Sequence, residues 1–310
     1  MVPVGQGGTH ILDAVRIVSL VPSATEMLFA LGLGRDVAAV THECDFPPEA
    51  RDRPQVTRDV IGAGLPPADV DRAVRDLTEQ GKSIYELDEA MLETLQPDLI
   101  VTQQLCAVCA VSYDDVVAIA GRLQSQPNVI PLDPHTVGEV LGDVRTLAEA
   151  TDRRDEGVDL VQDAAARIDR VRLAVRDAAP VRVAALEWLD PVFVAGHWTP
   201  QMIGYAGGLD VLGMPGEHSE QRGWEEVAAA RPEVVIVMPC GYDTERAADE
   251  AYEYADELES LGAKRVFAVD AAAYFSRPGP RLIEGLEVLA HVLHPDRLPD
   301  APGGWVEIGL

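Results

Sequence analysis

Lysine is nearly absent from this chain of 310 residues, and so is any excess of basic charge. Two of its 25 basic residues, Lys82 and Lys264, are lysines, whereas Asp and Glu total 52 and give a formal net charge of −27. Binding to nucleic-acid phosphates requires clustered Lys and Arg, so this balance excludes a nucleic-acid surface. An acidic surface poor in lysine is typical of a salt-rich cytoplasm, and it also arises where a high-GC genome replaces Lys by Arg. We favour the halophilic origin.

Long apolar runs and processing signals are missing as well. No stretch approaches the roughly 18 apolar residues of a membrane span, so none is predicted. The amino-terminal residues show neither a basic segment followed by an apolar one nor a cysteine for lipid attachment, which predicts a cytoplasmic location. The four cysteines are too few and too scattered for a disulfide framework, and we expect reduced thiols.

Catalytic motifs are also lacking. The chain contains no Gly-rich phosphate loop of the common types, no G-x-S-x-G turn and no recognisable catalytic dyad or triad. The residues themselves therefore indicate no assembled catalytic centre.

What the chain does contain is an alternation of short apolar strands with amphipathic helices. Strands are predicted at residues 16–21, 37–40, 99–101 and 128–132, and again at 181–186, 192–195, 234–238 and 266–269. This alternation predicts two α/β halves with largely parallel, buried strands. A helix of roughly 30 Å over about residues 158–178 is long enough to bridge them. The predicted domains are an amino-terminal lobe (1–150), a bridging helix (151–180) and a carboxyl-terminal lobe (181–310).

Local patterns refine this outline. Ser23, with Glu26 three residues later, predicts a capping box at the first helix. A helix is predicted over residues 85–95 after a polar insertion at 54–82, and the tail after residue 295 is predicted to be irregular.

Unusual side chains follow the ends of many of these strands. In open α/β sheets ligands bind at the carboxyl ends of the strands, so these side chains are predicted to line one cleft between the halves. They are His42, Glu43, Cys44, Cys106, Cys109, Glu187, Trp188, His197, Trp198, Cys240, Tyr274 and Arg277.

The thiols allow two interpretations. Cys106 and Cys109 have the spacing that puts both on one helix face, and together with His42 and Cys44 they would supply four metal ligands. Cysteine is equally often a small buried core residue, which is the alternative for Cys44 and Cys240. Trp188 and Trp198 also allow two interpretations each, as core residues or as aromatic surfaces on which a ligand packs.

Five segments together resemble a known family. RIVSLVPSATE (16–26), DFPPEA (45–50), LQPDLIV (95–101), residues 196–208 and FSRPGPR (275–281) resemble the cobalamin-binding members of the periplasmic substrate-binding proteins. The resemblance extends from about residue 16 to 293. It implies the class III periplasmic-binding-protein fold, in which one long helix bridges two Rossmann-like α/β lobes. It also implies a non-enzymatic protein that holds a corrinoid such as cobalamin, or a related metal chelate, and couples to the permease of an ABC importer.

The resemblance also implies roles for particular residues. Aromatic residues that line the family's cleft correspond to Phe46, Phe193 and Tyr274. Acidic residues that dock onto the permease correspond to Glu225 and to Asp88 or Glu89, of which we take Glu89. Two alternatives stay open: binding of a metal ion or haem through the Cys/His cluster, and a cytoplasmic enzyme that acts on a cofactor precursor.

Overall fold

A computed structural model describes residues 15–61, 67–79, 84–104 and 111–310 of the chain. Its first sheet has four parallel strands in the order β2-β1-β5-β6. β5 is buried along its whole length, as expected of a central strand covered on both faces. The strands are β1 (Ile17–Ser19), β2 (Val37–Ala39), β5 (Leu99–Gln103) and β6 (Asn128–Leu132).

In the described part of the first lobe, five helices and a small antiparallel ribbon accompany this sheet. The ribbon pairs β3 (Thr57–Asp59) with β4 (Tyr85–Leu87). A capping box between Thr136 and Glu139 starts the fifth helix. The helices are α1 (Pro22–Ala30), α2 (Pro67–Glu79), α3 (Glu89–Leu95), α4 (Tyr113–Ala120) and α5 (Val137–Ala150), and a short 3-10 helix covers Pro48–Asp52.

The long helix predicted between the lobes is present as α6 (Arg154–Val175), which has 22 residues. Its buried residues, among them Val161, Ala164 and Ile168, recur every three or four positions. Along this side α6 packs against α5 of the first lobe. It also packs against two helices of the second lobe, α7 (Thr199–Tyr205) and α12 (Leu282–Leu293). The prediction of two α/β lobes joined by one long helix is therefore confirmed, while the boundaries 1–150, 151–180 and 181–310 stay predictions.

The second sheet has seven strands and mixed directions. β7 (Val181–Leu189), β11 (Val234–Val237) and β12 (Arg265–Val269) are parallel, and β9 (Gly208–Asp210) lies parallel to the start of β7. β8 (Val192–Val194) is antiparallel to β7, β10 (Glu220–Gln221) to β8, and β13 (Trp305–Ile308) to β12. The expectation of largely parallel strands is thus correct for the first sheet and wrong for the antiparallel strands of the second.

Six helices accompany the second sheet. α7 and α12 pack on the side facing α6, and α9 packs against β11, β12 and β13. They are α7 (Thr199–Tyr205), α8 (Trp224–Ala229), α9 (Thr244–Glu253), α10 (Ala255–Ser260), α11 (Ala271–Tyr274) and α12 (Leu282–Leu293). Within the described ranges, no helix has the length and apolarity that a membrane crossing demands.

Four local predictions are wrong. The helix predicted from residue 85 begins at Glu89, because Asp88 caps it and the three preceding residues pair with β3. The tail contains β13, which adds to the edge of the second sheet. β7 continues to Leu189 because β8 pairs with its end, so Glu187 and Trp188 lie inside the strand rather than after it. α1 begins at Pro22 without a side-chain cap, so Ser23 and Glu26 form no capping box.

Candidate functional site at the ends of the strands

The two lobes touch at opposite edges of the first sheet. The segment after β2 meets residues 277–281 of the second lobe, which we call the charged contact. The segment after β6 meets residues 197 and 218, which we call the histidine contact. Since β1 and β5 lie between β2 and β6 in the sheet, their carboxyl ends lie between the two contacts.

The charged contact is built around the buried carboxylate of Glu26, which is 3% exposed. Arg281 donates to both of its oxygens, at 2.9 and 2.6 Å, and Arg277 lies 3.8 Å from one of them. Arg277 also donates to Asp45 and to the carbonyl of Glu43. Burial raises the pKa of the Glu26 carboxyl, and the two guanidinium groups act against that rise. The buried charge is therefore compensated across the lobes.

Phe46 stands beside the charged contact. The residue is 39% exposed, and the Arg281 guanidinium lies 4.0 Å from the centre of its ring, as a cation–π pair. On one side of this pair an open groove of about 720 Å³ runs along α1, lined by Glu26 and Phe29 among others. On the other side lies a smaller cavity of about 270 Å³ between α5, α6 and the start of α12.

The histidine contact consists of three imidazole rings. His135 follows β6, and its ring centre lies 5.6 Å from that of His197 and 5.4 Å from that of His218. His197 Nε2 and His218 Nδ1 are 3.2 Å apart, so one nitrogen donates to the other. Burial, followed by the neighbouring His218 and His135, lowers the pKa of His197 to about 4, against an opposing influence of Asp133. His197 is therefore neutral at neutral pH.

The backbone fixes His197 in an uncommon conformation. Its φ angle of 52° lies in the left-handed region. The His197 N–H donates to the Glu217 carbonyl at 2.6 Å, and the Gly216 N–H donates to the His197 carbonyl at 2.9 Å. A Cβ on the preceding Gly196 would lie 2.4 Å from the Ser219 nitrogen, so only glycine fits there. These contacts hold the imidazole against the first lobe.

Glu187 lies next to the histidine contact. The Ser219 hydroxyl donates to its carboxyl at 2.5 Å. Burial raises the pKa of Glu187 to about 7, although hydrogen bonds from Ser219 and from the Gly196 backbone oppose the rise. Trp188 has the opposite orientation along β7 and meets the Tyr242 ring edge to face, 5.7 Å between centres. Among the described residues its indole N–H has no hydrogen-bond partner.

The residues predicted after β2 form a polar group of their own. His42 Nδ1 lies 2.8 Å from the Thr57 hydroxyl, and its ring packs against Tyr85, whose hydroxyl donates to Glu43 at 2.9 Å. Cys44 is buried instead, with its sulfur 3.0 and 3.1 Å from the hydroxyls of two threonines of the core. Burial raises the pKa of the Cys44 thiol, which disfavours the thiolate that a metal requires.

Cys106 and Cys109 lie outside the described residues. Within the ranges that the structure covers, no three His, Cys, Asp or Glu side chains are placed to hold a metal ion. The metal site that would join the two cysteines to His42 and Cys44 therefore stays a prediction.

The remaining predicted residues are dispersed. Trp198 is a core residue, 5% exposed, and its indole N–H donates to the Phe275 carbonyl at 2.9 Å. Tyr274 is half-buried against Gly304, Phe193 is half-buried in β8, and Cys240 is exposed after β11.

The two predicted docking residues are exposed and occupy similar places. Glu89 begins α3 of the first lobe and accepts from Arg122 at 2.6 Å, whereas Glu225 lies in the first turn of α8 in the second lobe.

Sequence reasoning missed Glu26, His135, His218 and Arg281. Arg281 was visible as the last residue of FSRPGPR, and His135 follows a predicted strand, so both had a signal. Glu26 lies in a segment that looks like an ordinary helix start, so the sequence gives no sign of its contact with the other lobe. His218 precedes a two-residue strand that no pattern announces.

Comparison with known proteins gives a consistent family. The vitamin B12-binding protein of Vibrio cholerae is 22% identical over 279 residues, covering 88% of this chain and 87% of that protein. The uncharacterised ABC transporter substrate-binding lipoprotein YvrC of Bacillus subtilis is 23% identical over 297 residues, covering 91% and 80%. A periplasmic haem-binding protein of Pseudomonas aeruginosa superposes with a TM-score of 0.69 at 16% identity, covering 95% and 98%.

The chain also matches one protein family directly, in agreement with its fold and with these similarities. Residues 17–263 match the family described as "Periplasmic binding protein", which is most of the chain and includes α6 and the strands that end at both contacts. The chain is a member of the periplasmic binding protein family.

Proposed function

We propose that this protein binds a metal-centred macrocycle, a corrinoid or a haem, between its two lobes and delivers it to an ABC importer. One observation carries the proposal: the carboxyl ends of β1 and β5 lie between two contacts that both join the lobes. In open α/β sheets, ligands bind at this edge. Relatives that carry the names vitamin B12-binding and haem-binding support a macrocyclic cargo.

The side chains beside these strand ends suit such a cargo. Phe46 offers an exposed aromatic face, His42 and Glu43 offer polar atoms, and Arg277 holds their segment in place through its bonds to Asp45 and to the Glu43 carbonyl. With Cys106, Cys109, Glu187 and His197 they form the proposed ligand-binding set. The cargo is bound and released unchanged, so no residue in this set needs a catalytic role.

Visible absorbance spectroscopy tests the cargo. The protein is titrated with cyanocobalamin, with hemin and with metal-free protoporphyrin IX. We expect saturable binding of one metal-centred macrocycle at a ratio of one to one. Comparison of the cyanocobalamin titration with the hemin titration identifies which of the two the protein binds. Failure of both to bind saturably would overturn the proposal.

Paired variants locate the cargo. Phe46→Ala should weaken binding about tenfold or more, because it removes a large aromatic contact. Tyr252→Ala removes an aromatic residue that is 54% exposed on α9, and it should leave affinity unchanged. Equal losses in both variants would place the cargo elsewhere.

Delivery to an importer depends in this proposal on Glu89 and Glu225, one on each lobe. Neutralising both, as Glu89→Gln with Glu225→Gln, should abolish stimulation of the importer's ATPase in liposomes while cargo affinity stays constant. Glu245→Gln is the matched control, since Glu245 is also exposed in the first turn of a helix, α9. Unchanged stimulation by the double variant would exclude these two residues as the docking pair.

A further inference from the structure

A second cavity lies where α6 meets both lobes, away from the strand ends. We call it the hinge cavity. Its volume is about 270 Å³, and Phe46 and Arg281 separate it from the open groove along α1. Its apolar lining comes from three elements that belong to the first lobe, the bridging helix and the second lobe. The principal apolar residues are Val137, Val140, Leu141, Leu160, Ala164 and Leu282.

The size of the hinge cavity limits its occupant. An apolar cavity of about 150 Å³ holds one benzene molecule, and pockets for drug-sized ligands begin near about 300 Å³. A volume of about 270 Å³ therefore suits one aromatic ring or short aliphatic body with a small substituent. A macrocycle is too large for it, so this cavity is distinct from the proposed cargo site.

One rim of the cavity carries a carboxylate. Glu284 lines the cavity, and its Oε1 accepts from Arg167 at 3.1 Å. Its other oxygen, Oε2, is buried and has no hydrogen-bond partner among the described residues. The Glu284 side chain as a whole is 30% exposed, so this residue presents negative charge at the rim.

The charges around that rim favour a cation. Besides Glu284, Arg167 also donates to both carboxylate oxygens of Glu287, at 3.0 and 2.7 Å. Asp163 adds a further negative charge to the lining. Arg281 also lines the cavity, but Glu26 neutralises it. The local excess is therefore negative.

We propose that the hinge cavity is a binding site for a small amphiphilic amine. The apolar body lies among the α5, α6 and α12 side chains, and the protonated amine lies beside the Glu284 carboxylate at the rim. Because the lining comes from both lobes and from α6, the bound amine contacts all three at once and stabilises their present arrangement.

Calorimetric titration with phenethylamine tests the site, with phenethyl alcohol and hydrocinnamate as neutral and anionic probes of the same body. The amine should bind saturably in the millimolar range or tighter and about tenfold more tightly than the alcohol, since a charge-assisted hydrogen bond is stronger than a neutral one. Hydrocinnamate should not bind. Absence of saturable amine binding, or equal binding of all three probes, would overturn the proposal.

Three variants test whether the amine binds in the hinge cavity. Ala164→Leu fills the space and should weaken phenethylamine binding at least about tenfold, because overpacking leaves no room for the ring. Ala165→Leu puts the same residue on the exposed side of the same helix and should bind normally. Glu284→Gln, which keeps the shape and the cavity, should remove the preference for amine over alcohol. Normal binding by Ala164→Leu, or an intact preference in folded Glu284→Gln, would contradict the assignment.

Discussion

The charged contact and the histidine contact hold the same two lobes together by opposite electrostatic means. At the first, a carboxylate that is almost completely buried is matched by guanidinium groups from the other lobe. At the second, the centres of three imidazole rings lie 5.1–5.6 Å from one another, with two of the pairs edge to face, and burial keeps His197 neutral. A compensated ion pair is sensitive to loss of one partner, whereas a partly buried neutral imidazole such as that of His197 is sensitive to protonation. Mutation and pH therefore act on different ends of the lobe interface.

The largest effect is expected from Arg281→Ala, which breaks the charged contact. It leaves the buried Glu26 carboxylate with only Arg277, at 3.8 Å. Removing one partner of a buried pair costs about 3–5 kcal/mol of unfolding free energy, measured here by urea denaturation. Arg58→Ala is the control, because its pair with Glu86 is exposed and should contribute roughly 0–1 kcal/mol. Similar losses in both variants would show that the charged contact is no stronger than a surface pair.

A smaller effect, of at most about 3 kcal/mol once the carboxyl is fully ionised, is expected from the titration of Glu187. Its folded pKa of about 7 exceeds its ordinary value of 4.5. The stability that it contributes is thus complete below pH 4.5 and is lost as the pH rises through about 7. Glu187→Gln keeps the shape and cannot ionise, so it should lose less stability than the native protein over that interval. Parallel pH profiles for the two proteins would contradict the raised pKa.

The smallest effect is expected at the histidine contact and has the opposite sign. The folded pKa of His197, about 4, lies below the ordinary value of 6.5. Its stabilising contribution is complete above pH 6.5 and is lost as the pH falls through about 4. The loss amounts to roughly 1–2 kcal/mol after allowance for solvent screening of the half-exposed rings. His197→Asn, which tolerates the left-handed backbone, should lack this loss in urea denaturation at each pH. An equal loss in the variant would assign the pH dependence to other groups.

Much of the fold was accessible from sequence because it is encoded locally. Apolar runs such as residues 99–101 and the periodic buried face of α6 are short-range patterns, and the structure reproduces them. β13 escaped prediction for the same reason: only its pairing with β12 makes four residues of the tail a strand. The capping interpretation of Glu26 failed because a partner far along the chain, Arg281, takes its carboxylate.

The candidate site was less predictable than the fold. The strand-exit rule brought together His42, Glu43 and Arg277, which do lie at one contact region. It could not distinguish side chains that alternate across one strand, so Glu187 and Trp188 entered the same set although they have opposite orientations. It also missed His218, whose position depends on the folding of a loop rather than on a strand.

The separation of 255 residues between Glu26 and Arg281 has a consequence for biosynthesis. At about 5–20 residues per second, the ribosome needs roughly 13–50 s to reach Arg281 after it has added Glu26. During that interval the emerging amino-terminal lobe can complete its own four-stranded sheet, but its Glu26 has no guanidinium partner and must stay hydrated or protonated. The nascent chain therefore passes through a state with one finished lobe and an open docking face, to which a chaperone has access until residues 277–281 emerge.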